Sequence, residues 1–130
     1  MLIGCSGYVV DSERPEYLID GDATTKWCDV AGVPSTVDFD LGEAKSITGW
    51  RIVNAGRENP GYITSGCYLM GRNSLNEDWH TLDALAGNRR NVVERKFEAP
   101  QSVRYLRLMV TTPTQDPTSN DTRIYELEVY

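Results

Sequence analysis

The stretch Ser35–Val53, STVDFDLGEAKSITGWRIV, decides the fold. Val37, Phe39 and Leu41 alternate with Thr36, Asp38 and Asp40, the two-residue period of a strand with one buried face. After Gly42, Trp50 and Ile52 fall on one face and Ile47 and Val53 on the other. The pattern recurs in CYLMGR, DWHTLD, VVERKF and, less cleanly, VRYLRLMVTT. In the closing RIYELEVY, Tyr125, Leu127 and Val129 share a face, with Glu126 and Glu128 between them. Turn signals separate the runs at Gly42, Gly56, Asn59-Pro60-Gly61, Asn73–Glu77, Gly87-Asn88, Ala99-Pro100 and Pro113–Asp121. No segment sustains apolar residues at helical spacing for three turns. About eight short strands are therefore expected in one all-β domain over residues 1–130, an antiparallel sandwich or barrel whose function sits in its loops.

Composition narrows the function classes. Of the 130 residues, 40% are hydrophobic and 25% charged, as in a folded domain with a real core. The net charge is −6, from 19 acidic and 13 basic residues, and basic residues cluster only at Arg89-Arg90 and Arg95-Lys96. That balance argues against nucleic acid and acidic membranes as partners, because both need a basic face. No apolar run is long enough to span a bilayer. The N-terminal MLIGCSGYVV has neither a basic flank nor a long apolar stretch and does not read as a secretion signal. Cys5, Cys28 and Cys67 lack C-x-x-C spacing and read as small buried apolar side chains.

The chain is expected not to be an enzyme. Its single histidine, His80, lies in the strand-like EDWHTL, and both a nucleophile–histidine dyad and a zinc site would have to be built on it. Acidic residues are plentiful, but a sandwich of this size offers little room for a glycosidase cleft. Phosphate-cradling glycine motifs are absent.

One loop stands out: Leu18–Asp29, LIDGDATTKWCD. Asp20, Asp22 and Thr25 place three side-chain oxygens within six residues, and calcium takes six to eight oxygen ligands. An EF-hand is ruled out, since its obligatory glycine and final glutamate would fall on Thr25 and Ala31. From spacing alone the stretch reads equally as a metal loop or as a turn whose aspartates bond their own backbone.

LIDGDATTKW, STVDFDLGEAKSITGWRI, VRYLRLMVT and RIYELEVY, in this order, resemble the coagulation-factor type C or discoidin domain. The resemblance runs from about Pro15 to Tyr130 and is strongest to the bacterial family 32 carbohydrate-binding modules. It implies an antiparallel β-sandwich jelly roll of the galactose-binding type. It also implies a structural Ca2+ between the DGD loop and the last strand. Its ligands would be the side chains of Asp20, Asp22, Thr25 and Glu126 and the backbone carbonyls of Tyr17 and Tyr125. Trp27, just after the ligands, reads as a core residue.

The same resemblance implies a non-catalytic module that holds a glycan containing N-acetylhexosamine, galactose or mannose. It would serve a catalytic domain in the same parent chain, for example a hexosaminidase-type glycoside hydrolase, secreted, periplasmic or at a bacterial cell surface. The sugar site would lie in VNAGRENPGYITSG, with Asn54, Arg57, Glu58, Tyr62 and Thr64 as contacts. Similar modules read H-A-G-x-E and Y-N-T here, so Asn54 replaces a histidine and Ile63 an asparagine. The loop TTPTQDPTSNDT carries no aromatic platform, which points to a shallow, polar site, with Arg89 and Arg90 able to edge it. The alternative is a protein-interaction or purely structural sandwich that has lost sugar binding.

Overall fold

The computed structural model describes all 130 residues, Met1–Tyr130. Seven strands form: β1 (Leu2–Cys5), β2 (Trp27–Asp29), β3 (Ser35–Asn54), β4 (Gly66–Arg72), β5 (His80–Leu85), β6 (Val92–Thr112) and β7 (Thr122–Val129). Helical structure is confined to short 3-10 turns at Asp11–Glu13, Pro15–Ile19 and Pro60–Tyr62.

Two expected turns are absent. The sequence pattern breaks β3 at Gly42 and β6 at Ala99-Pro100, yet these strands run unbroken for 20 and 21 residues. Their mutual register slips between Asp40 and Lys45 and again between Ile47 and Gly49. The extra residues bend the pair without ending the ladder, as β-bulges do. The residues read as turn signals are thus the bends that carry two strands from one layer of the sandwich into the other.

Pairing on either side of the bend defines the layers. The first half of β3 lies between β1 and the second half of β6, which pairs on to β4 and then β5. The second half of β3 lies between β7 and the first half of β6, and β2 pairs with the outer edge of β7. All pairings are antiparallel, and the architecture is the expected all-β sandwich jelly roll.

The inward faces form one core containing Val37, Phe39, Ile47, Trp50, Ile52, Leu69, Leu106, Leu108, Val110, Ile124 and Leu127. Trp27 is fully buried, as its place in the sequence suggests, and its indole N–H donates to the Gly7 carbonyl at 2.9 Å. Trp50 is likewise fully buried and donates to Asp83 at 2.8 Å, so neither indole nitrogen is left unpaired. All three cysteines are free thiols; Cys28 and Cys67 are buried as expected, but Cys5 is exposed on the short β1.

Candidate functional site

Two loop clusters stand side by side. The first is carried between two fully buried anchors, Leu18 and Trp27, which leave the segment between them to arch over the surface. Gly21 sits at φ +74, a left-handed conformation that an L side chain rarely adopts, and so allows the tight DGD turn. Asp20 accepts the Asp22 N–H at 2.9 Å through Oδ1 and the Thr25 hydroxyl at 2.5 Å through Oδ2. Asp22 Oδ1 accepts the Thr24 N–H and hydroxyl at 2.8 and 2.6 Å, and these bonds hold its carboxyl below the usual range. The aspartates therefore bond their own loop, as a turn requires.

The turn does not account for Glu126. Val53 pairs with Glu126 but Asn54 with Ile124, so Tyr125 is the extra residue of a bulge in β7. Strict alternation fails there: Ile124 and Leu127 both enter the core, and Glu126 is buried, only 5% exposed. Its Oε1 has no hydrogen-bond partner. Burial, and then the Asp20 carboxyl facing it at hydrogen-bonding range, push the Glu126 carboxyl up to about 7. The 3-10 turn carrying Tyr17 packs against β7, so both peptide segments expected to supply carbonyls border this spot. No group of three or more His, Cys, Asp or Glu side chains gathers closely enough to form a metal centre by itself. Any cation here would rest on the Asp20–Glu126 pair, hydroxyl and carbonyl oxygens.

The second cluster is the loop after β3, and here the expected sugar contacts are redistributed. Asn54 is 1% exposed and Thr64 fully buried, so neither reaches the surface. Asn54 instead donates to the carbonyls of Arg90 and Asn91 at 3.4 and 3.1 Å. Thr64 donates to the Pro113 carbonyl at 3.4 Å. The exposed Arg57 donates to the Ala23 carbonyl and lies 5.3 Å from the Tyr125 ring centroid. Glu58 accepts Lys26 Nζ at 2.7 Å through both oxygens and the Tyr125 hydroxyl at 2.9 Å. Burial works to raise the Glu58 carboxyl, but the bonds from Lys26 and Tyr125 outweigh it and hold the group below its ordinary range. Tyr62 carries the Arg123 guanidinium over its ring at 4.2 Å. Arg57 and Glu58 thus fasten this loop to the DGD loop.

What remains open at this end is a depression of about 360 Å³ lined by Pro60, Gly61, Ile63, Arg89 and Gln115. Gln115 staples its walls together: its backbone N–H donates to Gly61, and its side-chain amide donates to the carbonyls of Ile63 and Asn88 at 2.8 and 2.9 Å. Gly56 is packed so closely beneath that an added Cβ would meet Asn91 Oδ1 at 2.7 Å and Ile63 Cγ1 at 2.9 Å. A larger depression, about 510 Å³, runs along β5 and β6, and its floor holds the satisfied Asp83–Arg95 ion pair. Sequence reasoning missed Gln115 and Asn88, because a lone amide in a polar loop carries no periodicity or spacing. His80 is exposed and faces Glu77 at 3.0 Å.

The chain matches the F5/8 type C domain over residues 3–127. No curated protein matches it. Among solved structures it is similar to the family 32 carbohydrate-binding module of Streptococcus pneumoniae EndoD, with TM-score 0.85 and 21% identity over 100% of this chain and 94% of that one. It is also similar to chitosan-binding module 2 of a Paenibacillus sp. IK-5 chitosanase/glucanase, solved with chitotriose, at TM-score 0.79 and 20% identity over 98% and 93% of the chains. A third is the family 32 module of Clostridium perfringens NanJ in complex with galactose, at TM-score 0.78 and 18% identity over 97% and 90%.

Proposed function

The chain belongs to the F5/8 type C domain family, and from that premise we propose that it is a non-catalytic glycan-binding module serving an attached secreted glycoside hydrolase. The observation that carries this reading is the open depression at the loop end, whose walls are set before any ligand arrives. Pre-set walls reduce the ordering cost that weak sugar binders can least afford. Pro60 presents apolar surface to a sugar ring, while Arg89 and the amide oxygen of Gln115 offer hydroxyls a donor and an acceptor. The similar modules that hold chitotriose and galactose support the class of ligand. A glycan array followed by calorimetry tests the proposal. Millimolar or tighter binding of a glycan containing N-acetylhexosamine, galactose or mannose, weakened by Gln115→Ala, is expected; no binding to any glycan overturns it.

A structural Ca2+ at the DGD loop belongs to the same proposal. The donors suit a hard cation: carboxylates of Asp20, Asp22 and Glu126, the Thr25 hydroxyl, and carbonyls of Tyr17 and Tyr125. The orphaned Glu126 Oε1 and the facing Asp20 carboxyl support it, since a buried carboxyl set against a second one is costly without a cation or a shared proton. The ion would supply positive charge that ties the early loop to the last strand.

The loss-of-binding alternative has one observation in its favour: four of the five expected sugar contacts are buried or engaged within the protein. It predicts a blank glycan array together with an unchanged fold.

A further inference from the structure

The geometry points to an acidic sugar residue, one bearing a carboxylate or sulfate ester, as the ligand of the loop-end depression, with Arg89 as its anchor and Arg90 beside it. This rests on the glycan-binding reading above and names the substrate class within it.

Most guanidinium groups on this protein are engaged. Arg107 grips Asp38, Arg104 grips Asp40 and Arg95 grips Asp83, each through two nitrogens. Arg57 bonds Ala23, and Arg123 covers Tyr62. Arg89 and Arg90 are the exception. They are adjacent, both exposed, and their side chains make no hydrogen bond or ion pair within the protein. In a chain of net charge −6, two neighbouring unpaired arginines form a local reversal of the overall field.

Their backbone is not a loose turn. The buried Asn88 donates to the carbonyls of Thr64 and Arg90 at 3.0 Å each, and its Oδ1 accepts the Arg90 N–H at 3.1 Å. From beneath, Asn54 donates to the carbonyls of Arg90 and Asn91, and Asn91 Oδ1 accepts the Gly56 N–H at 2.7 Å. Three asparagines therefore hold the arginine-bearing segment rigidly. Such support keeps a binding group in its productive geometry.

Arg89 also occupies a shared rim. It lines both the 360 Å³ depression and a neighbouring one of about 450 Å³ that includes Arg90 and Glu94. No carboxylate lines the first. In the second, Glu94 accepts the Tyr130 hydroxyl at 2.8 Å. A guanidinium matches a carboxylate or sulfate through two parallel N–H bonds, a geometry that a neutral hydroxyl cannot offer. An acidic pyranose could rest its apolar face on Pro60 with its anionic group on Arg89.

The test is a set of titrations with galactose, galacturonic acid and galactose 6-sulfate at low and high salt, on the wild type and on Arg89→Gln and Arg90→Gln. Both variants change exposed side chains, and thermal melts confirm that each is folded. At low salt at least one acidic sugar is expected to bind about tenfold or more tightly than galactose. Arg89→Gln is expected to abolish that preference, Arg90→Gln to reduce it, and high salt to shrink it. The arms separate carboxylate from sulfate. Equal binding of neutral and acidic sugars, or a preference that survives Arg89→Gln, overturns this inference and leaves the glycan-binding reading standing. Absence of binding by every sugar here and on the glycan array overturns both.

Discussion

The DGD loop and the arginine-bearing loop are neighbours with opposite defects of charge. At the first, the Asp20 carboxyl faces the buried carboxyl of Glu126. At the second, the exposed Arg89 and Arg90 extend from a braced segment and pair with no carboxylate of the chain. Between the two, charge is balanced: Glu58 is held by Lys26 and Tyr125, and Arg57 by the Ala23 carbonyl. The balanced residues bind the loops to each other. Uncompensated charge on a well-supported backbone therefore separates the proposed sites from the fastening residues better than residue type does, since Arg57, Glu58 and Arg89 would all look suitable for a sugar.

The sharpest way to break this comparison is at Asn54. If it supports the loop, Asn54→Ala removes one of the two donors to each of the Arg90 and Asn91 carbonyls and leaves a cavity beneath the arginine segment. The expected loss is roughly 2–4 kcal/mol of stability in denaturant melts. Unchanged stability would return Asn54 to the role of a direct ligand.

The acidic side is sharpened by calcium. A hundredfold excess over its dissociation constant should stabilise the wild type by about 2.7 kcal/mol by mass action. Glu126→Gln should lose that increment and, in chelator, melt no lower than the wild type, because it removes one of two facing carboxyls. Equal calcium responses in the two proteins would refute the ligand set.

A compensated charge away from both loops gives the smallest expected effect and calibrates the others. Burial tends to raise the Asp83 carboxyl, but bonds from Arg95 and Trp50 outweigh it and hold the group below the usual carboxylate range. Its contribution should be fully present above the unfolded-state pKa, near 4, and fade as pH falls through the lower folded-state value. Arg95 is partly exposed, so Asp83→Asn should cost about 1–2 kcal/mol at neutral pH and flatten the acid limb of the stability curve. An acid limb identical to the wild type would contradict that assignment.

Much of the architecture was legible because it is local. The alternation of Val37, Phe39 and Leu41 and the apolar spacing around Trp50 and Ile52 mark strands without reference to any partner. The core position of Trp27 was legible from the family resemblance, through its place after the expected ligands. Gly42 and Ala99-Pro100 misled because a bend within a strand and a turn between strands use the same residues. They differ only in whether a neighbouring strand continues the ladder. The sugar contacts were less legible: a polar side chain looks alike in sequence whether it meets solvent or a buried carbonyl.

By itself, then, the sequence determined the strand periods, the apolar core, the negative overall charge and the membership of a family. The first three depend on composition or on spacings of a few residues, and the last on a resemblance of segments in order along nearly the whole chain. Tertiary structure decided where Glu126 and Asn54 lie. The bulge at Tyr125 exists only in the register of β7 against β3, a pairing of residues some seventy positions apart. That register turned one carboxyl from a strand face toward the DGD loop. Asn54 is buried because the segment carrying Arg90 and Asn91 folds back over it, and with it went the surface role that its position in the loop suggested. A local pattern cannot encode such placements, because the partner that fixes each one lies far away in the chain.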